Sequence, residues 1–205
     1  MEKIDLTPRI TFSDRLRVWF KWFLDPVAAF FNRIGLTPNT MTLLGLAGNF
    51  IGAYFVSQGQ MVTGGWLMLI TTPLDALDGT MARLRGDASD WGAFVDSVTD
   101  RYSELAILGG LLIYFSEIGD GLSSIITFAA AAGTVLVSYV KARAEAVGFT
   151  AKVGILTRVE RYLVLAPLLV LNQPVWAVWI IAVFANFTAL QRIFHVRAQA
   201  HAQKK

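Results

Sequence analysis

The sequence predicts an all-α polytopic membrane protein, with six transmembrane helices preceded by an amphipathic helix lying at the interface. Three observations lead there. Of the 205 residues, 55 % are hydrophobic and 16 % are Asp, Glu, Lys or Arg, and the mean hydropathy is +0.52; a soluble domain of this length carries a more charged surface. Apolar stretches recur at 40–57, 62–82, 92–118, 122–147, 158–171 and 174–194, several of them near the ~20 residues that cross hydrocarbon. The basic residues fall on one side of those stretches only.

Residues 12–33, FSDRLRVWFKWFLDPVAAFFNR, interleave aromatic and basic side chains too evenly to cross a bilayer. They read as one or two amphipathic segments at the interface, with Pro26 permitting a break. Charges at Asp14, Arg15, Arg17, Lys21 and Asp25 leave no compact apolar region of the kind a cleavable signal peptide needs. Three regions are expected: a cytoplasmic and interfacial part (1–38), a six-helix catalytic domain (39–194) and a cytoplasmic tail (195–205). The stretch 158–171 is short for a span and needs extension, tilt or local thinning.

With the amino terminus cytoplasmic, the regions 1–38, 83–101, 141–161 and the tail from 192 contain 6, 3, 5 and 4 Lys or Arg, which are all 18 in the chain. The opposite loops, near 58–64, 116–122 and 172–175, contain none. This is the positive-inside pattern, and it predicts that both termini face the cytoplasm. Trp66, Trp176 and Trp179 fall near the outer ends, as interfacial anchors do. Gly45, Gly48, Gly52, Gly109, Gly110 and Gly133 read as close-packing sites, and Asn49, Thr134 and Asn186 as candidates for interhelical hydrogen bonds. With no cysteine in the chain, disulfides and thiolate metal ligands are excluded.

The chemistry concentrates in residues 75–100, DALDGTMARLRGDASDWGAFVDSVTD. Asp75 and Asp78 are three apart near the cytoplasmic end of the second span; Asp96 and Asp100 are four apart near the start of the third. On helices each pair shares a face, so two adjacent helices can present four carboxylates to one centre. Burial and mutual repulsion both oppose ionisation of such a group, and divalent cations relieve both. An oxygen-only donor set, with His195 and His201 confined to the tail, favours Mg²⁺ or Mn²⁺ over zinc. Solvated interfacial charges or helix caps are the plain alternative. A cation pathway in a transporter is another, although the acids lie at one membrane face rather than at the midplane.

The spacing D-x-x-D-G-x-x-A-R, eight residues, then G-x-x-x-D-x-x-x-D is met by Asp75, Asp78, Gly79, Ala82, Arg83, Gly92, Asp96 and Asp100. It resembles the signature of the CDP-alcohol phosphatidyltransferase family at every defining position. The resemblance implies an interfacial helix, six spans, a homodimer in the cell membrane with a cytoplasmic active site, and transfer of a phosphatidyl group from a CDP-linked lipid such as CDP-diacylglycerol to an alcohol with release of CMP. It further implies two metal ions held by Asp75, Asp78, Asp96 and Asp100, with Asp100 also the candidate base for the acceptor hydroxyl. For the CDP-lipid it implies Gly79 and Gly92, which permit close approach of the nucleotide, and Arg83, whose forked donors suit the diphosphate. Asn39 in the Thr37–Thr40 segment is a further candidate there, or else a cap of the first span; tight helix packing is the other reading of the two glycines.

Lys141, Arg143, Arg158, Arg161 and Arg192 all map to the aspartate face, and such a cationic surround suits an acceptor that already bears phosphate. Ordinary positive-inside topology and contact with anionic membrane lipids account equally well for each residue alone. The run SYVKARAEAVGFTAKVGILTRVER, residues 138–161, is similar to that of bacterial phosphatidylinositol phosphate synthases. That similarity implies an inositol phosphate acceptor, its phosphate held by Lys141, Arg161 and Arg192 with Arg158 adjacent. A phosphatidylglycerophosphate synthase using glycerol 3-phosphate is the alternative within the family. No nucleic-acid partner is expected.

Overall fold

The structure, a computed structural model, describes residues 12–87 and 89–203, with the side chains of residues 12–18, 20 and 75 outside the description. Among the described residues there are seven helices: α1 (Phe12–Arg33), α2 (Pro38–Ser57), α3 (Met61–Arg85), α4 (Asp90–Glu117), α5 (Gly121–Ala146), α6 (Arg158–Val170) and α7 (Pro174–Ala202). The last six match the six apolar stretches read from the sequence. Among them α2, α5 and α7 are long and apolar enough to cross a membrane; α3 and α4 carry the acidic and basic residues of the motif, and α6 has only 13 residues.

Helix α1 runs unbroken through Pro26, so the expected region is one segment rather than two. Arg85, in the last turn of α3, pins its end: Nε donates to Asn32 Oδ1 at 2.6 Å and Nη2 to the Leu36 carbonyl at 2.6 Å. Ala28, Met41, Leu77 and Met81 make a small core between α1, α2 and α3. Beyond it, Val56, Met68, Ile107, Leu111, Val137, Leu165 and Ile181 belong to a larger core shared by α2–α7. The outward surface is apolar, with Phe50, Tyr54, Ile125, Phe128, Phe187 and Leu190 exposed. A soluble protein avoids so large an exposed apolar area.

Helix α2 packs against both α3 and α4, while α5 packs on α7 and α6 sits between α3 and α7. Small residues set the close approaches. A Cβ on Gly110 would lie 2.4 Å from the Ala53 carbonyl oxygen, and one on Gly64 2.9 Å from that of Gly52. Asn186 bridges helices by donating to the Ala129 carbonyl at 3.0 Å. Asn49 and Thr134 differ from expectation, since they bond within their own helices, to the Gly45 and Ala131 carbonyls. A buried polar side chain on a membrane helix can satisfy itself on the carbonyl three or four residues back.

Residues 147–157, between α5 and α6, are irregular but fixed on α7. Leu156 N–H donates to Thr188 Oγ1 at 3.1 Å, and Arg192 Nε to the Val153 carbonyl at 2.8 Å. This segment delivers the start of α6 to the acidic end of α4.

Candidate active site

The two aspartate pairs stand on either side of the connection between α3 and α4. Gly86 ends α3 in the left-handed region at φ 72°, a conformation that costs little only without a Cβ. Ser89 then caps α4, its Oγ accepting from Gly92 N–H at 3.1 Å. The Asp75/Asp78 end of α3 and the Asp96/Asp100 start of α4 therefore lie at one end of the bundle. The sequence suggests two adjacent helices; in the structure α2 packs against both and α3 and α4 scarcely touch each other. A space flanked by the two acidic faces results.

Each described aspartate has a distinct environment. Asp78 is buried, and its Oδ2 accepts from Thr42 Oγ1 at 2.5 Å; the α2 residue fixes the α3 carboxylate. Asp96 has a buried Oδ1 without a hydrogen-bond partner among the described residues. Asp100, 4 % exposed, is ion-paired through Oδ1 to Arg158 of α6, while Arg101 Nη2 lies 3.4 Å from its Oδ2. Asp75 is placed on α3, its side chain outside the description. Among the described residues no three Asp, Glu or His side chains gather closely enough to hold a metal ion. The donor chemistry nevertheless fits one. The orphaned Asp96 oxygen is an uncompensated buried acceptor, which native structures keep where an ion or ligand belongs, and oxygen donors alone suit a hard divalent cation.

Gly79 and Gly92 behave unlike the packing glycines. A Cβ on Gly79 would meet only Arg83 Nη1, at 3.7 Å, and one on Gly92 only Ser89 Oγ, at 3.4 Å. Among the described residues, no neighbouring helix requires either to be glycine. Arg83 is exposed and folded along its own helix, Nη2 donating to Thr80 Oγ1 at 2.9 Å. Asn39 is exposed in the first turn of α2 and is not the cap; Thr37 is, accepting from Thr40 N–H at 3.2 Å.

The basic residues divide into two kinds. Arg161 is 1 % exposed, with Nε and Nη2 forking onto both oxygens of Glu104, itself 3 % exposed, and Nη1 donating to the Leu156 carbonyl. Arg192, also buried, donates from Nε to Val153 and from Nη1 to the Val137 carbonyl. Arg158 and Lys141 are more open, their side chains 27 % and 45 % exposed, and Lys141 Nζ lies 3.9 Å from Glu145. The acids Asp100 and Glu104 on α4 thus meet Arg158 and Arg161 on α6, two rungs joining the aspartate face to the arginine face. Thr42, Arg101 and Glu104 are not singled out by the sequence, although Glu104 stands one helical turn after Asp100 and so on its face.

A family model described as CDP-alcohol phosphatidyltransferase matches residues 35–195. A phosphatidylinositol phosphate synthase of Streptomyces avermitilis is 37 % identical over 201 residues, spanning 90 % of this chain and 82 % of that protein. An archaetidylinositol phosphate synthase of Pyrococcus horikoshii is 29 % identical over 184 residues, 89 % of this chain and 95 % of that one. Among solved structures, the Mycobacterium tuberculosis phosphatidylinositol phosphate synthase with CDP-DAG bound aligns with a TM-score of 0.79 at 30 % identity, covering 84 % of this chain and 92 % of that one. The same protein in complex with manganese and citrate gives 0.80 at 30 % identity, covering 84 % and 88 %.

Proposed function

Because this chain belongs to the CDP-alcohol phosphatidyltransferase family, and is an enzyme of that class using a divalent metal, we propose that it transfers the phosphatidyl group of CDP-diacylglycerol to an inositol phosphate and releases CMP. The observation that carries the acceptor is the contact between Asp100 and Arg158. The candidate base and the arginine cluster are one continuous site, so a hydroxyl presented to Asp100 has cationic partners for a phosphate on the same molecule. The relatives named for inositol phosphate transfer, and the neighbour that binds CDP-DAG, support the same pair of substrates.

In this mechanism the donor lies across the space flanked by α3 and α4, its nucleotide against the open faces of Gly79 and Gly92 and its diphosphate within reach of Arg83, with Asn39 a further contact. Mg²⁺ or Mn²⁺, two ions per site in this reading, would be held by Asp75, Asp78, Asp96 and Asp100 and supply charge stabilisation at the diphosphate. Thr42 keeps Asp78 turned to that centre. Lys141, Arg158, Arg161 and Arg192 form the acceptor-phosphate region, Arg158 exchanging Asp100 for the incoming phosphate. The acceptor hydroxyl oxygen attacks the lipid-bearing phosphorus in line, the bond from that phosphorus to the CMP oxygen breaks, and the hydroxyl proton passes to Asp100.

The six later helices serve as six spans in this reading, with α1 interfacial, residues 39–194 the membrane domain, both termini and the site cytoplasmic, and the protein a homodimer in the cell membrane. The absence of Lys and Arg from the loops near 58–64, 116–122 and 172–175 supports that sidedness. Helix α6, about 20 Å long at 1.5 Å per residue, falls short of the ~30 Å hydrocarbon. The irregular segment 147–157 and local thinning would make up the difference.

The test is CMP release by purified protein given CDP-diacylglycerol, Mg²⁺ or Mn²⁺, and separately inositol phosphate, glycerol 3-phosphate, serine or free inositol. Turnover is expected with inositol phosphate, and Asp78→Asn should abolish it. Turnover of glycerol 3-phosphate with silence on inositol phosphate would overturn the acceptor. Silence on every acceptor together with manganese uptake into proteoliposomes would point to transport.

A further inference from the structure

Two arginines of the acceptor region are aimed by backbone carbonyls of the irregular segment 147–157. Arg192 Nε donates to the Val153 carbonyl at 2.8 Å, and Arg161 Nη1 to the Leu156 carbonyl at 3.2 Å. A guanidinium held in this way is placed only as accurately as the backbone that carries the carbonyl. Whatever fixes the segment therefore fixes the arginines.

Thr188 of α7 fixes it from beneath. Its Oγ1 accepts from Leu156 N–H at 3.1 Å, with Thr188 0 % and Leu156 6 % exposed. Leu156 is thus tied to α7 through its N–H and to Arg161 through its carbonyl. Thr188 also stands one turn before Arg192, on the same face of α7. Gly154 passes over both: at φ 144°, a conformation that favours glycine, a Cβ there would collide with Thr188 Cγ2 and lie 3.7 Å from Arg192 Nε. The other tie to α7 is of a different kind. Gln199 Oε1 accepts from Thr150 N–H at 3.1 Å and Nε2 donates to the Thr150 carbonyl at 2.6 Å, but this pair is exposed and lies six residues before Leu156. Water can replace an exposed bond; it cannot so readily replace the Thr188 hydroxyl, whose loss leaves a buried N–H without that acceptor.

We propose that Thr188 is a positioning residue for the acceptor: through Leu156 it holds the segment whose carbonyls aim Arg161 and Arg192. This rests on the reading that those arginines lie in the acceptor-phosphate region. Buried under the segment, Thr188 acts through the backbone and not by touching substrate.

The experiment compares wild type, Thr188→Val, Thr188→Ser and Arg192→Gln in detergent, each first shown by thermal unfolding to retain its fold. CMP release is measured against inositol phosphate at saturating CDP-diacylglycerol, and then the reverse. Loss of one neutral hydrogen bond corresponds to roughly a 3- to 10-fold rise in KM. That rise is expected for inositol phosphate in Thr188→Val, which keeps the shape and the methyl but not the hydroxyl, with KM for CDP-diacylglycerol and kcat within about twofold of wild type. Thr188→Ser keeps the hydroxyl and should match wild type within about twofold. The reverse pattern, Thr188→Ser impaired and Thr188→Val normal, would make Thr188 a packing residue and overturn the proposal. So would an equal rise in both KM values, or a fall in kcat with KM unmoved. Should Thr188→Val not fold, Thr188→Ala against Thr188→Ser isolates the same hydroxyl, and the same selective rise is expected. If Arg192→Gln raises KM for inositol phosphate and the loss of the hydroxyl does not, the proposal alone falls. If Arg192→Gln leaves that KM unmoved, the acceptor region is misplaced and the proposal falls with it.

Discussion

At the scale of single residues, the site is set by which partner holds each charged group. Thr42 donates to Asp78 from a neighbouring helix, and no other residue type of that size supplies both a hydroxyl and a methyl there. Thr42→Val keeps the shape and removes the donor. A hydrogen bond to a carboxylate contributes about 1.5–3 kcal/mol, so manganese affinity read by titration calorimetry, and CMP release at limiting manganese, should each fall roughly tenfold or more. Unchanged manganese binding in Thr42→Val would remove Thr42 from the site. Glu104 poses the opposite case, a buried carboxylate whose task is to neutralise Arg161. Glu104→Ala leaves that guanidinium buried and unpaired and should destabilise the protein by about 3–5 kcal/mol, measured by thermal unfolding in detergent. The double change Glu104→Leu with Arg161→Met should recover most of that stability without recovering acceptor use.

At the scale of helices, glycines divide by what a Cβ would meet. Gly110 on α4 lies against α2 so closely that Gly110→Ala must push the Ala53 backbone aside; a loss of about 1–3 kcal/mol is expected from such overpacking. Gly79 on α3 has no such neighbour. Gly79→Ala should leave the unfolding temperature within about 2 °C of wild type, less than 1 kcal/mol corresponds to, while raising KM for CDP-diacylglycerol severalfold. Equal destabilisation by both substitutions would mean that Gly79 is a packing residue. The sequence offers both glycines with the same small-residue logic, and only their neighbours separate them. The same holds for the arginines of α6: Arg158 and Arg161 are three apart on one helix, yet one is sealed on Glu104 and the other opens beside Asp100.

At the scale of the whole molecule, the apolar outer surface suits a membrane protein, and the one-sided distribution of Lys and Arg is what supports the proposed cytoplasmic sidedness. The chain has no cysteine, so single cysteines can be placed on an unmodified background. In intact cells a membrane-impermeant thiol reagent should label Glu117→Cys, at the end of α4, and should reach Asp87→Cys and Gln203→Cys only after permeabilisation. Labelling of Asp87→Cys from outside would invert the orientation and move the aspartates to the outer face.

The sequence by itself determined where the six later helices begin and the aspartate motif, because both depend on local spacing; the end of α7 was not legible, since the helix continues to Ala202 through the stretch read as a tail. Runs of apolar residues end where turn residues begin, and acids three or four apart share a helical face whatever surrounds them. It also determined the family, through eight residues whose spacing is a property of the chain alone. The tertiary structure decided that α2 packs against both aspartate helices, that Thr42 serves Asp78, that Glu104 claims Arg161, and that Arg101 and Arg158 meet at Asp100. The contacts of Thr42 with Asp78 and of Glu104 with Arg161 join residues 36 and 57 positions apart. Periodicity carries no information over such distances, since which face meets which is fixed only when the helices pack.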